Sequence, residues 1–233
     1  MRLTVFFLFI LCLHTPLFGQ KSMHYLWTQE LKQWVDDQGN VNYKAWKQNP
    51  KGLKTYLKTL EENPPQVYWS KNDSLAYFIN AYNAVTVDLI LTHYPLKSIR
   101  KLGMPWRRKL FLLGDEKVSL NHLEHKILRK MGDPRIHFAI NCASASCPKL
   151  ENTAFESSNI QERLEQATKN FLNDPHKNKL SKKQLSLSKI FLWFADDFGN
   201  KKEIIAFINR YSPTHLPSST KIKYLDYDWA LNE

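Results

Sequence analysis

Residues 73–93, DSLAYFINAYNAVTVDLILTH, decide the fold of this chain. Apolar residues fall on nearly every face of the segment, and this pattern predicts a buried helix rather than an amphipathic surface helix. The polar residues Asn80, Asn83 and Asp88 argue against a lipid-spanning helix, because such groups are costly in a bilayer. Pro95 ends the helix, since proline cannot continue the hydrogen-bond pattern.

Around this helix the pattern predicts an N-terminal helical segment (residues 20–64) and a second region (residues 65–233). The second region reads as a hairpin over 107–118, a helix opened by Ser119, an alternating strand at 135–141 and an amphipathic helix at 157–173. Short elements follow, with a final strand at 221–227. We therefore predict an α+β (or irregular α/β) fold: a helix-rich single domain around a buried central helix and a small sheet.

The composition excludes several classes of protein. Of 233 residues, 43% are hydrophobic and 24% are charged, which is typical of globular domains and not of disordered chains. Three cysteines are too few for a disulfide scaffold. The formal charge of +11 permits an anionic partner such as a cell-envelope polymer or peptide, but motifs for sequence-specific nucleic-acid binding are absent. No cofactor-binding motif is recognised, so we predict no cofactor.

The first residues predict export. Arg2 precedes an apolar run from Val5 to Leu13, which Pro16 ends before the small Gly19. This order is typical of a secretory signal peptide, here residues 1–19. The run is about half the roughly 20 residues that a spanning helix needs. We expect a periplasmic or secreted protein with no transmembrane helix in the mature chain.

Two cysteines, Cys142 and Cys147, lie in one loop of small residues after the predicted strand. A thiol near an imidazole is the usual arrangement of a cysteine nucleophile, and His125 and His137 are the candidate bases. Two non-catalytic alternatives remain open: a Cys142–Cys147 disulfide, or a pair of inert buried thiols. Glu124, next to His125, completes the polar cluster.

The same cluster also permits a structural zinc site with His125, His137, Cys142 and Cys147 as ligands, although the spacing is not that of a common zinc motif. On the predicted central helix, Asn80 and Asn83 must be hydrogen-bonded if they are buried. They either tie the helix to neighbouring backbone, or one of them orients a histidine or donates to an oxyanion.

Five segments in order resemble the family named domain of unknown function 547. They are AYFINAYNAVTVDLIL (76–91), SLNHLEHKILR (119–129), RIHFAINCASASCPKL (135–150), SLSKIFLWFADDFG (186–199) and YLDYDWALN (224–232). The resemblance covers roughly residues 65–232 and centres on the pairs Asn80/Asn83 and Glu124/His125 and on His137 with the Ser-Cys-Pro element. It implies no established activity. It favours Cys147, the cysteine of that element, over Cys142 as the functional thiol.

These observations lead to one hypothesis and two alternatives. The hypothesis is an exported cysteine-dependent hydrolase or acyl transferase acting on amide or ester bonds, with Cys147 as nucleophile. In papain-like and transglutaminase-like enzymes the cysteine precedes the histidine, so the similarity would require a permuted order here. The alternatives are a non-catalytic cell-envelope binding module with a structural Cys/His loop, and the structural zinc site.

Overall fold

A computed structural model describes residues 22–233, so the predicted signal peptide lies outside the described residues. The central helix, α4 (Lys71–His93), is buried along most of its length, as predicted. It begins two residues before the predicted Asp73. The cause is Ser70, whose side chain accepts from the Asp73 amide while the Asp73 carboxylate accepts from the Ser70 amide. This reciprocal capping box satisfies two amide donors that the first turn leaves free.

α4 is also the one helix within residues 22–233 that is long and apolar enough to cross a membrane. However, 89% of its apolar window is buried inside the protein. The same length and composition are found in core helices of soluble proteins, and here neighbouring helices supply the apolar surroundings.

Two N-terminal helices, α2 (Tyr43–Gln48) and α3 (Lys51–Glu62), pack on α4, and a third, α1 (Tyr25–Trp34), packs on α3 and α2. Stacked rings join them, with the Trp27 ring 5.8 Å from Trp46 and 5.5 Å from Tyr56. All three rings are fully buried, and they belong to the same apolar core as α4. The N-terminal helical segment is therefore part of the packing that fixes α4.

A hairpin follows α4, as the sequence predicts, with β1 (Lys109–Leu113) antiparallel to β2 (Glu116–Ser119). The Ser119 hydroxyl caps a short helix, α5 (Leu120–His122), which continues as a π-helical turn over Leu123–Leu128. Such widened turns are rare and occur frequently at functional sites. This one carries Glu124 and His125.

The strand predicted at 135–141 is wrong. Residues Pro134–Phe138 form a 3₁₀ helix. Pro134 has a φ suited to a first helical position, and the Asp133 carboxylate accepts from the Arg135 amide. The alternation misled because His137 is buried along with its apolar neighbours, so the segment has no solvent-exposed polar face.

The C-terminal part surrounds a second apolar core, in which the Phe138 ring contacts phenylalanines of several elements. Strand β3 (Gln184–Leu187) pairs in parallel with β4 (Lys221–Tyr224), which ends three residues before the predicted boundary. The sheet structure is small, as predicted, and consists of two separate two-stranded ladders, and the helix-rich α+β fold is confirmed. The elements are α6 (Ile160–Asn173), β3 (Gln184–Leu187), α7 (Ile190–Trp193), α8 (Ala195–Phe198), α9 (Lys201–Asn209) and β4 (Lys221–Tyr224).

Candidate active site

A cavity of about 360 Å³ lies where the two cores meet. Its polar wall contains Cys142, His125, His137 and Glu124. The remaining wall is mainly aromatic and comes from α4, from the 3₁₀ turn Pro105–Arg107, from α7 and the residue that follows it, and from the C-terminal segment. The aromatic side chains are Tyr82, Trp106, Trp193, Phe194, Tyr227 and Trp229. Four of the seven sequence-predicted site residues therefore face one space.

The cysteine loop is held in a tight turn that places Cys142 on this cavity. Ala143 adopts a left-handed conformation, with φ of 60°. Such a conformation costs of order 1–3 kcal/mol in a non-glycine residue and needs support from its surroundings. The Asn141 carboxamide supplies it by accepting from the Ala143 amide (2.7 Å) and donating to the Pro148 carbonyl (2.6 Å). The Ala145 amide donates to the Ala230 carbonyl (2.8 Å) and fixes the loop to the C-terminal segment.

Cys142 and Cys147 are both free thiols in mutual contact. The Cys147 thiol donates to Cys142 Sγ (2.9 Å), and the Cys142 amide donates to Cys147 Sγ (2.9 Å). The two side chains nevertheless face different spaces. Cys142 lines the cavity that holds the histidines, whereas Cys147 lines a second cavity on the other side of the loop.

The environment favours the thiolate at Cys142. The hydrogen bond from Cys147 lowers the pKa of Cys142 to about 6, and the hydroxyls of Ser144 (3.0 Å) and Tyr227 (3.4 Å) contribute, against burial, which raises it. Burial and the neighbouring Cys142 charge raise the pKa of Cys147 well above its usual range. Within this coupled pair, the hydrogen bonds to Cys142 and the burial of Cys147 therefore favour a thiolate at Cys142 over one at Cys147.

His137 is 2% exposed and its ring is oriented by two partners. Its Nε2 donates to the Asp197 carboxylate (2.6 Å), and its ring stacks on Phe194 at 4.0 Å. Its Nδ1 is buried and has no hydrogen-bond partner within residues 22–233. Burial lowers the pKa of His137, and the hydrogen bond to Asp197 offsets part of that effect. The ring is thus neutral near pH 7, with a free lone pair on Nδ1.

Asp197 connects the two histidines through Arg129. The Arg129 guanidinium donates to both carboxylate oxygens of Asp197, at 2.6 and 2.8 Å, and also to His125 Nδ1 at 2.8 Å. Burial opposes ionisation of Asp197, but the hydrogen bonds from His137 and Arg129 hold its pKa well below the usual range. Burial and the Arg129 charge lower the pKa of His125. Because His125 Nδ1 accepts, its proton lies on Nε2.

Glu124 is a buried carboxyl group on the same cavity. Burial raises the pKa of Glu124 to about 7, in spite of the hydrogen bond that the Tyr82 hydroxyl donates to it (3.2 Å). The nearby Cys142 charge raises that pKa further. Glu124 can therefore hold a proton near neutrality, which an ordinary surface glutamate cannot.

Asn80 and Asn83 lie outside this set. The Asn80 carboxamide donates to the Phe155 carbonyl (2.7 Å) and accepts from the Phe155 amide (3.0 Å). Asn83 donates to the Ala139 carbonyl (3.0 Å) and accepts from the Asn141 amide (2.8 Å). Each therefore ties α4 to neighbouring backbone, and Asn83 does so beside the cysteine loop.

Sequence reasoning missed Asp197, Arg129, Ser144 and Tyr227. Asp197 and Tyr227 lie far from the Cys/His cluster along the chain, and one sequence carries no distances. A signal was present, because Asp197 falls in the segment SLSKIFLWFADDFG and Tyr227 in YLDYDWALN. As for the zinc alternative, residues 22–233 contain no group of three or more His, Cys, Asp or Glu side chains arranged to hold a metal ion.

Residues 67–172 match the sequence model of the family described as "Protein of unknown function, DUF547". These residues belong to the DUF547 family. The DUF547 match includes α4, the Glu124/His125 turn and the whole cysteine loop. The segments 186–199 and 224–232, which complete the cavity, follow it in the chain. Comparisons with curated proteins and with solved structures found no match.

Proposed function

We propose that this protein is a cysteine-dependent hydrolase or acyl transferase that acts on amide or ester bonds. One observation carries the proposal: a thiol with a lowered pKa, Cys142, shares a cavity with a buried histidine whose Nδ1 is unpartnered. The assignment moves the nucleophile from Cys147, which the family resemblance favoured, to Cys142. The reason is that Cys147 faces the other cavity and burial disfavours its thiolate.

The hydrogen bonds give the two histidines different roles. His137 keeps its proton on Nε2, where Asp197 accepts it, so Nδ1 is the general base. His125 keeps its proton on Nε2 because Nδ1 accepts from Arg129, so His125 can donate to a developing oxyanion. Asp197 and Arg129 act as positioning residues, which resembles the way a third group orients the base of a catalytic triad.

The reaction follows from these states. The Cys142 thiolate attacks the carbonyl carbon, a C–S bond forms, and the amine or alcohol leaves with the proton of the Glu124 carboxyl group. His137 Nδ1 then takes a proton from water or from an acceptor molecule, which attacks the thioester and displaces the thiolate. The proton on His137 returns to Glu124 through solvent. Cys142 must be ionised and Glu124 protonated, so we expect a rate maximum between about pH 6 and 7.

The proposal includes export, supported by the three-part order of residues 1–19. Export is tested by recovering the protein from the periplasm or the medium and measuring the mass of its N-terminal peptide. A start at or near Gln20 supports export, and an intact Met1 in a cytosolic fraction contradicts it.

The decisive test compares two matched variants, Cys142→Ala and Cys147→Ala. Iodoacetamide labelling across pH 5–9, read by peptide mass mapping, should modify Cys142 with an apparent pKa near 6 in the wild type. Hydrolysis of p-nitrophenyl acetate should be lost in Cys142→Ala. It should persist, with an alkaline shift, in Cys147→Ala, which lacks the hydrogen bond to the thiolate. Full activity of a folded Cys142→Ala variant would refute Cys142 as the nucleophile, and a folded wild type with no hydrolytic activity would favour the binding-module alternative.

A further inference from the structure

We propose that the cavity selects small substrates in which a carboxylate lies beside a flat apolar group. Arg107 would bind the carboxylate, and Trp106, Trp193 and Trp229 would pack against the apolar group. The inference rests on the proposed function, since it names the substrate class of the Cys142 site.

Arg107 is the first part of the argument. It lines the cavity at the end of the 3₁₀ turn Pro105–Arg107, and it is exposed. Within the described part of the chain its guanidinium makes no hydrogen bond or ion pair. By contrast, the neighbouring Arg108 donates to the Leu102 carbonyl. A free guanidinium presents a planar set of donors that matches a carboxylate.

The charges around the cavity leave Arg107 unopposed. The Asp197 carboxylate is already shared by Arg129 and His137. Glu124 is the only carboxylate among the cavity-lining residues that the structure describes, and its burial favours the protonated form up to about pH 7. A substrate carboxylate would therefore find a permanent cation at the rim, and the Cys142 thiolate would be the main negative charge in the same cavity; the Cys142→Ala substitution removes that charge.

The aromatic wall is the second part. The Trp229 ring lies 5.9 Å from Trp106 and 5.6 Å from Trp193, and the Arg100 guanidinium lies 5.3 Å from its centre. Trp193 is 44% exposed, although such a large ring is normally much more buried. Clustered indole faces on a cavity offer flat apolar contacts, which aromatic and ring-shaped groups fit best.

The size of the cavity limits the substrate. Its volume of about 360 Å³ is at the lower end of the range of small-molecule pockets, roughly 300–1,000 Å³. It is suited to a single amino-acid-sized unit rather than to a long stretch of polypeptide. The substrate class is accordingly a small amide or ester that also carries a free carboxylate beside an aromatic or bulky apolar group, as an N-acyl aromatic amino acid does.

Equilibrium binding tests this class without relying on thiol reactivity. In the Cys142→Ala background, tryptophan fluorescence would be titrated with N-acetylphenylalanine and with its uncharged amide. The acid should bind about fivefold more tightly, the factor expected for one charge pair worth about 1 kcal/mol in water. Arg107→Gln should remove that preference, and Arg107→Lys should keep part of it. Lys109→Gln, which removes the same charge from an exposed residue outside the cavity, should leave it unchanged.

Alkylation rates separate the inference from the proposed function. In the protein that keeps Cys142, the Arg107→Gln substitution should slow the reaction of Cys142 with anionic iodoacetate. It should leave the rate of reaction with neutral iodoacetamide unchanged. Equal binding of the acid and the amide, or an acid preference that survives Arg107→Gln, overturns the substrate class while Cys142 remains reactive. If Cys142 reacts with neither reagent, the proposed function is overturned. The fluorescence titration then tests only whether Arg107 binds a carboxylate.

Discussion

Asn83 and Asn80 provide a matched pair of perturbations, because they lie one turn apart on α4 and make equivalent hydrogen bonds. Asn83→Ala leaves two buried backbone groups, the Asn141 amide and the Ala139 carbonyl, without partners. Each unsatisfied group costs about 1–3 kcal/mol. We expect a loss of about 2–6 kcal/mol in the free energy of unfolding, or roughly 4–24 °C in Tm for a chain of this size. Asn80→Ala should lower the free energy of unfolding by a similar amount, because it leaves the backbone amide and carbonyl of Phe155 without partners.

Only one of the two changes should affect the thiol. Asn83 fixes the start of the loop that holds Cys142, so Asn83→Ala should slow iodoacetamide labelling of Cys142 at pH 7 and shift its apparent pKa upward. Asn80 ties α4 to Phe155, away from that loop, so Asn80→Ala should leave both quantities unchanged. Urea unfolding and pH-dependent labelling measure the two effects separately. Equal labelling of Cys142 in both variants would refute the role given to Asn83.

Three further predictions concern stability. Burial lowers the pKa of His24 to about 4, while the unfolded side chain titrates near 6.5, so the unfolded state binds the extra proton and stability falls as pH drops from 6.5 to 4. The loss is up to about 3 kcal/mol, and His24→Gln should reduce the difference between urea unfolding at pH 7 and pH 4.5. Asp197→Ala should cost about 3 kcal/mol in urea unfolding, because it leaves Arg129 and His137 without their partner; a loss below 1 kcal/mol would contradict this. Gly39→Ala should lower Tm more than Gly114→Ala: both have positive φ, but a Cβ at Gly39 would lie 2.4 Å from the Lys149 Cβ, whereas nothing lies near Gly114.

The sequence was a good guide wherever local pattern decides structure. The apolar segment forms the buried α4, and the hairpin and the Ser119 cap lie where the sequence predicts them. It failed at 135–141, where alternating polarity came from a buried histidine rather than from an exposed strand face. Periodicity reports burial only when polar residues face water, and a buried polar residue breaks that rule.

Separation along the chain explains which parts of the candidate site could be predicted. Glu124, His125, His137 and Cys142 are close in sequence and were recognised as a cluster. Asp197 is 60 residues from His137, and its importance depends on a hydrogen bond that no local pattern encodes. The choice between the two thiols depended on which cavity each faces, and that follows from the left-handed turn at Ala143.

The thiol contact also makes the disulfide alternative testable against the enzyme. Export would bring the pair into an oxidising compartment, where a Cys142–Cys147 disulfide would remove the proposed nucleophile. The structure has free thiols with Sγ atoms 2.9 Å apart, well beyond the bond length of about 2.05 Å. We therefore expect iodoacetamide to label Cys142 in protein purified without reductant. Labelling that appears only after reduction would identify a disulfide. It would favour a structural or binding role over the enzyme, because an acyl-enzyme cannot form on an oxidised sulfur.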